Sequence, residues 1–329
     1  MKMRHLAVTV IIAAAVAVPV TPAAAAPPGA SPAATTDRPA LPSTYVVSTD
    51  QGVLPEGIGI APDGTMYVTG TGNGDVYRGH VTAASMRRFA SGAVDGRGFA
   101  AGVHADARGR VFVAAKGTLD VYSATGRLIA RRAASSGPVG DPFLNDLVIT
   151  AEAVYVTDST NAVVWRASLE DGRIGALERW LDVRPLVPGM PAQYWYLNGI
   201  DATPDGETLI VASQGLETLL RVDAATAQAE FVDLGDGVSF GPDGLVLRGS
   251  YVYGVENYAA PNGEQGVYVA QLDEAMTSGN MVAKVIDPSF DSPTTLALHD
   301  GRIYVVNSQF DHTPGTPPYT VSAVDDPLR

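Results

Sequence analysis

The sequence predicts an all-β fold, a six-bladed β-propeller with four-stranded blades around a central channel. Three observations predict it. A polar or small residue opens a short alternating run at Glu56, Ala101, Asn145, Asn198, Asp243 and Thr294, a spacing of 44 to 53 residues that falls in the range of propeller blades. Each run leads through a tight turn into a second strand rich in Val, Ile, Tyr and Thr, as pleated surfaces favour. No stretch carries the period of a long amphipathic helix.

The hairpins that open the units pair residues 58–61 with 66–69, 103–105 with 110–114, 147–150 with 154–157, 200–203 with 208–212, 245–247 with 251–255 and 296–298 with 302–307. Their turns carry Asp63-Gly64, Arg108-Gly109, Asp205-Gly206, Gly249-Ser250 and Asp300-Gly301, mostly residues that tolerate positive φ. Third strands are expected at 163–167, 219–222 and 267–271, and fourth strands at 178–181, 229–234 and 282–286. Residues 272–278 have room for one short helical turn. The runs Tyr45 to Ser48 and Tyr319 to Val324 flank the array, and one or both complete the last blade. A double sandwich also uses many short strands, but it gives no reason to open hairpin after hairpin with an amide or carboxylate.

The first 26 residues read as an export signal. Lys2, Arg4 and His5 precede an uncharged apolar run from Leu6 to Val20, and Ala24-Ala25-Ala26 offers a cleavage site. Residues 27–44 are mostly Pro, Ala, Ser and Thr, too poor in bulky apolar side chains to build a core. Residues 45–326 then form one propeller domain. The net charge of −13 becomes −15 once Lys2 and Arg4 are removed, which disfavours phosphate-backbone binding. The chain has no cysteine, so neither a disulfide framework nor a thiol nucleophile is available. These features describe a secreted, monomeric protein with a small-molecule substrate, no nucleic-acid partner and no membrane anchor after cleavage.

Equivalent positions of a propeller surround one axis, so the opening residues of the six units become neighbours. Glu56, Asn145, Asn198 and Asp243 would place two carboxylates and two amides at the channel mouth. That set suits a hard divalent cation, calcium best, with magnesium, manganese or zinc as alternatives. Zinc normally recruits His or Cys, and neither occupies the column. Two uncompensated carboxylates at one point repel each other, and a cation removes that cost. The simpler reading is a polar channel that holds ordered water.

The segments Pro55-Glu56-Gly57, Phe143-Leu144-Asn145-Asp146, Leu197-Asn198-Gly199 and Gly241-Pro242-Asp243-Gly244 together resemble the senescence-marker-protein/gluconolactonase family, the regucalcin-like propellers. The resemblance spans roughly residues 54–306. It implies metal-assisted opening of a lactone or similar ester, with Glu56, Asn145, Asn198 and Asp243 as ligands and Asp243 also as the catalytic base. His104 would be a proton shuttle like those of paraoxonase-like lactonases. Asp146 would bind substrate or orient Asn145. Phe143, Trp195, Tyr196 and Phe240, with Tyr194, would line an aromatic mouth. The family's sugar-lactone enzymes carry an Arg before the Asn-Asp pair; here Asp141-Pro142-Phe143-Leu144 stands there, which implies a less polar substrate.

The insertions 257–266 and 309–315 are placed to overhang one mouth. No Gly-x-Ser-x-Gly elbow is present, and Gly70 to Gly74 lacks the following helix of a phosphate cradle. Two alternatives to a hydrolase stay open: a binding propeller whose calcium only stiffens the channel, and a non-hydrolytic enzyme of the strictosidine-synthase-like kind.

Overall fold

Alternating apolar runs bounded by Gly-containing turns become antiparallel strands in the computed structural model, which describes residues 40–189, 196–258, 260, 263–312 and 314–329. The export signal and most of the lead-in lie outside the described residues. Leu41–Arg329 is one compact unit.

Strand β1 (Thr44–Ser48) precedes the first blade, which is formed by β2 (Pro55–Ile60), β3 (Thr65–Gly70), β4 (Val76–His80) and β5 (Ala83–Ala90). Blade 2 contains β6 (Val103–Ala105), β7 (Val111–Ala115), β8 (Thr118–Tyr122) and β9 (Leu128–Ala133). Blade 3 contains β10 (Leu144–Ile149), β11 (Ala153–Asp158), β12 (Val163–Glu170), a short β13 (Arg173–Ile174) and β14 (Glu178–Asp182). Blade 4 contains β15 (Leu197–Ala202), β16 (Thr208–Ser213), β17 (Thr218–Asp223) and β18 (Ala229–Phe231). Blade 5 follows with β19 (Leu245–Arg248), β20 (Tyr251–Glu256), β21 (Gly266–Leu272) and β22 (Gly279–Val285). Blade 6 has β23 (Pro293–His299), β24 (Arg302–Asn307) and β25 (Tyr319–Asp325) from the end of the chain.

Both flanking runs complete blade 6. β1 pairs antiparallel with β25, Tyr45 opposite Val321, and meets β5 of blade 1 in parallel at Val46 and Ser85. The ends of the array are thereby joined in one eight-stranded sheet, which leaves no open edge where the chain began. Residues 272–278 hold no helical turn. They form a hairpin connection in which the Asp273 carboxylate accepts N–H groups from Thr277 and Ser278, local bonds that compete with a helix.

Burial follows the radius of the propeller. Second strands such as β11 are buried at every residue, whereas outer strands such as β9 alternate half-buried and exposed. The apolar core accordingly divides into clusters that each sit between two adjacent blades. Tyr45, Val68 and Tyr304 join blade 6 to blade 1, Tyr155 and Ile200 join 3 to 4, and Val255 and Leu296 join 5 to 6.

Around the axis, the carbonyl of every column residue accepts a hydrogen bond from the preceding blade. Backbone N–H groups donate directly from Gly102 to Asn145 O at 2.7 Å, from Gly199 to Asp243 O at 2.7 Å and from Gly244 to Thr294 O at 2.9 Å. In two blades a threonine relays the bond. Gly57 N donates to Thr69 Oγ1, which donates to Ala101 O, and Asp146 N donates to Thr157 Oγ1, which donates to Asn198 O at 2.6 Å. Thr294 Oγ1 closes the circle on Glu56 O at 2.9 Å. With these carbonyls committed, the column offers its side chains to the axis.

The glycine after a column residue is explained by this approach of strands. A Cβ at Gly57 would lie 2.3 Å from Ala101 O, and one at Gly199 would lie 2.6 Å from Leu245 N. A side chain there would push neighbouring blades apart.

Candidate functional site

Glu56, Asn145 and Asn198 sit at the start of their inner strands, where the pairing with the second strand shifts register: between Pro55 and Ile58, Leu144 and Leu147, Leu197 and Ile200. Such bulges re-aim a side chain. Asp243 precedes β19, and its N–H donates to Val255 O at 2.8 Å. The structure brings these four side chains together at the floor of a cavity of about 480 Å³.

Each is 5 to 9 % exposed. Burial pushes the Glu56 carboxyl well up, and the nearby carboxylates of Asp243 and Asp146 raise it further. Burial also raises Asp243, while N–H donors from Asn257 and Asn198 act to lower it. Asn198 Nδ2 lies 2.6 Å from Asp243 Oδ1, and Asn257 Nδ2 donates to Asp243 Oδ2. Asn145 Nδ2 donates to Ser159 Oγ at 3.0 Å, yet its buried Oδ1 has no hydrogen-bond donor.

An orphaned amide oxygen beside two charge-disfavoured carboxylates is a donor set that fits a hard cation. None of the described residues lining the cavity is cationic, so no side chain there neutralises the pair. Among the described residues, no group of three or more His, Cys, Asp or Glu side chains could hold a metal ion. The oxygen set therefore depends on the amides of Asn145 and Asn198 as well as the two carboxylates.

A second ring was not read from the sequence. The residue after each second strand occupies an equivalent place: Thr71, Lys116, Ser159, Gln214, Asn257 and Ser308. Gln214 Nε2 donates to Asn257 Oδ1 at 3.0 Å, and Asn257 Nδ2 also reaches Pro293 O at 3.1 Å. These amides fix the Asp243 carboxylate from behind. The recurrence of a polar residue one step beyond β3, β11, β16, β20 and β24 is the signal that could have found them.

The walls are aromatic. Phe99 and Phe143 meet edge to face with centroids 4.8 Å apart, and Tyr258 and Phe310 also line the cavity. Tyr258 and Phe310 come from the two insertions expected to overhang the mouth. Of the aromatic residues expected from sequence, Phe143 lines the cavity. Tyr196 and Phe240 do not: each is 1 % exposed and packs in a seam, Tyr196 between blades 3 and 4 and Phe240 between blades 4 and 5. Their rings are taken up by the apolar contacts between neighbouring blades. Tyr194 and Trp195 lie outside the described residues.

Asp146 is spent on backbone rather than on the mouth. Its Oδ1 accepts from Leu147 N at 2.8 Å and its Oδ2 from Ile200 N at 3.4 Å, tying blade 3 to blade 4. Burial raises its pKa to about 7. His104, three residues beyond the column, is not among the cavity-lining residues, and burial lowers its pKa to about 4. Its imidazole is neutral at neutral pH.

No family model matches the chain, and no curated protein matches it. Solved structures share its fold. A gluconolactonase from Xanthomonas campestris superposes with a TM-score of 0.56 at 17 % identity, over 84 % of this chain and 87 % of that one. A protein from Lactobacillus plantarum gives 0.56 at 16 % identity, over 82 % and 88 %. Virginiamycin B lyase from Staphylococcus aureus gives 0.54 at 11 % identity, over 86 % and 98 %. The chain is therefore a gluconolactonase-like β-propeller in fold.

Proposed function

We propose that this protein is an exported hydrolase of the gluconolactonase-like family that opens a lactone or similar ester with a divalent cation, calcium first, at the channel mouth. The observation that carries the reading is the buried floor, where Glu56 and Asp243 lie together with the donorless Oδ1 of Asn145. Glu56, Asp243, Asn145 and Asn198 would hold the ion. A cation bound there supplies Lewis acidity toward a carbonyl oxygen and lowers the pKa of water.

The protein's own part is positioning and proton transfer. Asn198 and Asn257 hold the Asp243 carboxylate by one oxygen each, so it faces the cavity in a fixed orientation. Asp243 accepts the proton of the water that adds to the carbonyl carbon. It returns that proton to the ring oxygen as the C–O bond breaks, giving one hydroxy acid from lactone and water. The neutral amides of Asn145 and Asn198 add ligand oxygens without adding negative charge.

The test is turnover of a small lactone panel in oxygen-18 water, before and after chelation and calcium return. Chelator-sensitive turnover with one heavy oxygen in the carboxylate supports hydrolysis. An unsaturated product without the label would mean elimination, a lyase reaction, and metal binding without turnover would leave a binding propeller.

A further inference from the structure

Resting on the hydrolytic reading above, we propose that the cavity selects uncharged lactones and esters bearing an apolar chain or ring, and that Phe99 and Phe143 form the subsite for that group. The cavity is two-sided in its chemistry. The two carboxylates and the amides of Asn145 and Asn198 lie together at the floor, while Phe99 and Phe143 stand on the side of blades 2 and 3 and Tyr258 and Phe310 on the side of blades 5 and 6. A carbonyl held at the floor would lay its substituent against the aromatic wall, where the half-buried Phe99 and Phe143 rings meet edge to face at 4.8 Å.

The polar wall groups are largely committed elsewhere. Thr71 Oγ1 donates to Leu54 O at 2.8 Å, and Gln214 Nε2 donates to Asn257 Oδ1 at 3.0 Å. A polyhydroxylated substrate would bury hydroxyls against phenyl rings with few partners, which costs free energy per unpaired group. A substrate with a carboxylate or phosphate on the substituent would bury that charge against the phenyl rings, with no cationic side chain among the described lining residues to receive it. An uncharged acyl or aryl group incurs neither penalty and gains from burial.

The experiment compares δ-valerolactone, its 5-pentyl derivative δ-decalactone and D-glucono-δ-lactone with the calcium-loaded full chain. In parallel, calorimetry measures binding of δ-valerolactam and its 6-pentyl derivative, which resist opening. The pentyl lactone should exceed the parent in kcat/KM by about tenfold or more, with gluconolactone below both. Phe143→Ala should collapse the pentyl-to-parent ratio, and Phe99→Leu, a milder change checked by its melting curve, should reduce it.

If no lactone is opened but the pentyl lactam binds more tightly and Phe143→Ala removes the advantage, the subsite stands and the hydrolytic reading falls. If lactones are opened but the pentyl group confers no advantage, or gluconolactone is preferred, the subsite is overturned and the hydrolytic reading stands. Absence of both turnover and lactam binding overturns both.

Discussion

Asn257 holds Asp243: its side-chain N–H donates to Asp243 Oδ2 from the residue that follows the adjacent strand of the same blade. Asn257 is in turn gripped by Gln214, whose Nε2 donates to Asn257 Oδ1. A carboxylate positioned by amides on two different blades is fixed before substrate arrives. Positioning of this kind contributes to rate rather than to binding.

Asn257→Ala should therefore lower kcat about tenfold or more while KM changes little, since loss of a hydrogen bond to a charged group costs about 1.5–3 kcal/mol. Steady-state kinetics on the best lactone reads the split. A rise in KM at unchanged kcat would instead make Asn257 part of the substrate pocket.

Asp243→Asn keeps the shape of the side chain but removes the proton acceptor and turns one of the two oxygens that accept from Asn198 and Asn257 into an N–H donor. Turnover should drop by about 10²–10⁴-fold. Preserved turnover would move the base elsewhere. Glu56→Gln should act first on the ion, and a calcium titration that matches wild type would remove Glu56 from the ligand set.

Glu256 gives the clearest pH dependence. It is 3 % exposed, its Oε1 has no hydrogen-bond partner, and burial pushes its pKa to about 8. A carboxyl whose folded pKa lies above its unfolded value binds more protons in the native state, so stability is lost as pH rises between the two values. Over the window from about pH 4.5 to 8 the loss at this group is on the order of 5 kcal/mol. Glu256→Gln should flatten that slope, raising stability at pH 8 and leaving pH 5 nearly unchanged. Urea denaturation of both proteins at the two pH values measures it.

Closure rests on β1. Tyr45 is fully buried, donates its hydroxyl to Val81 O at 2.8 Å and packs 5.7 Å from the Tyr304 ring. Tyr45→Ala opens the seam between the last and first blades and should cost about 3–5 kcal/mol, the range for a large aromatic residue removed from a core. A loss below about 1 kcal/mol in denaturant melts would show that β1 is not needed to hold the circle.

The repeat made much of this legible. Glu56, Asn145, Asn198 and Asp243 share a column because radial symmetry converts a sequence period into proximity, and the alternating runs at β2, β3, β15 and β16 show their strands directly. The aromatic mouth was harder to read. Tyr196 and Phe240 stand near the column just as Phe143 does, but whether such a residue turns toward the cavity or the seam depends on the packing of the next blade. Asn257 and Gln214 were missed because an amide at a strand end is also an ordinary turn residue. Phe99 lies in a segment without periodicity, and only the folded chain sets it against Phe143.

The most direct measurement is a calorimetric titration of calcium into the chelator-treated full chain, alongside Asp243→Asn. The expected result is one ion per chain for wild type, with binding weakened at least about tenfold in the variant, as loss of a charged ligand from an oxygen site requires. No binding, or equal affinity in both proteins, would contradict a floor built from Glu56, Asn145, Asn198 and Asp243 to hold a cation.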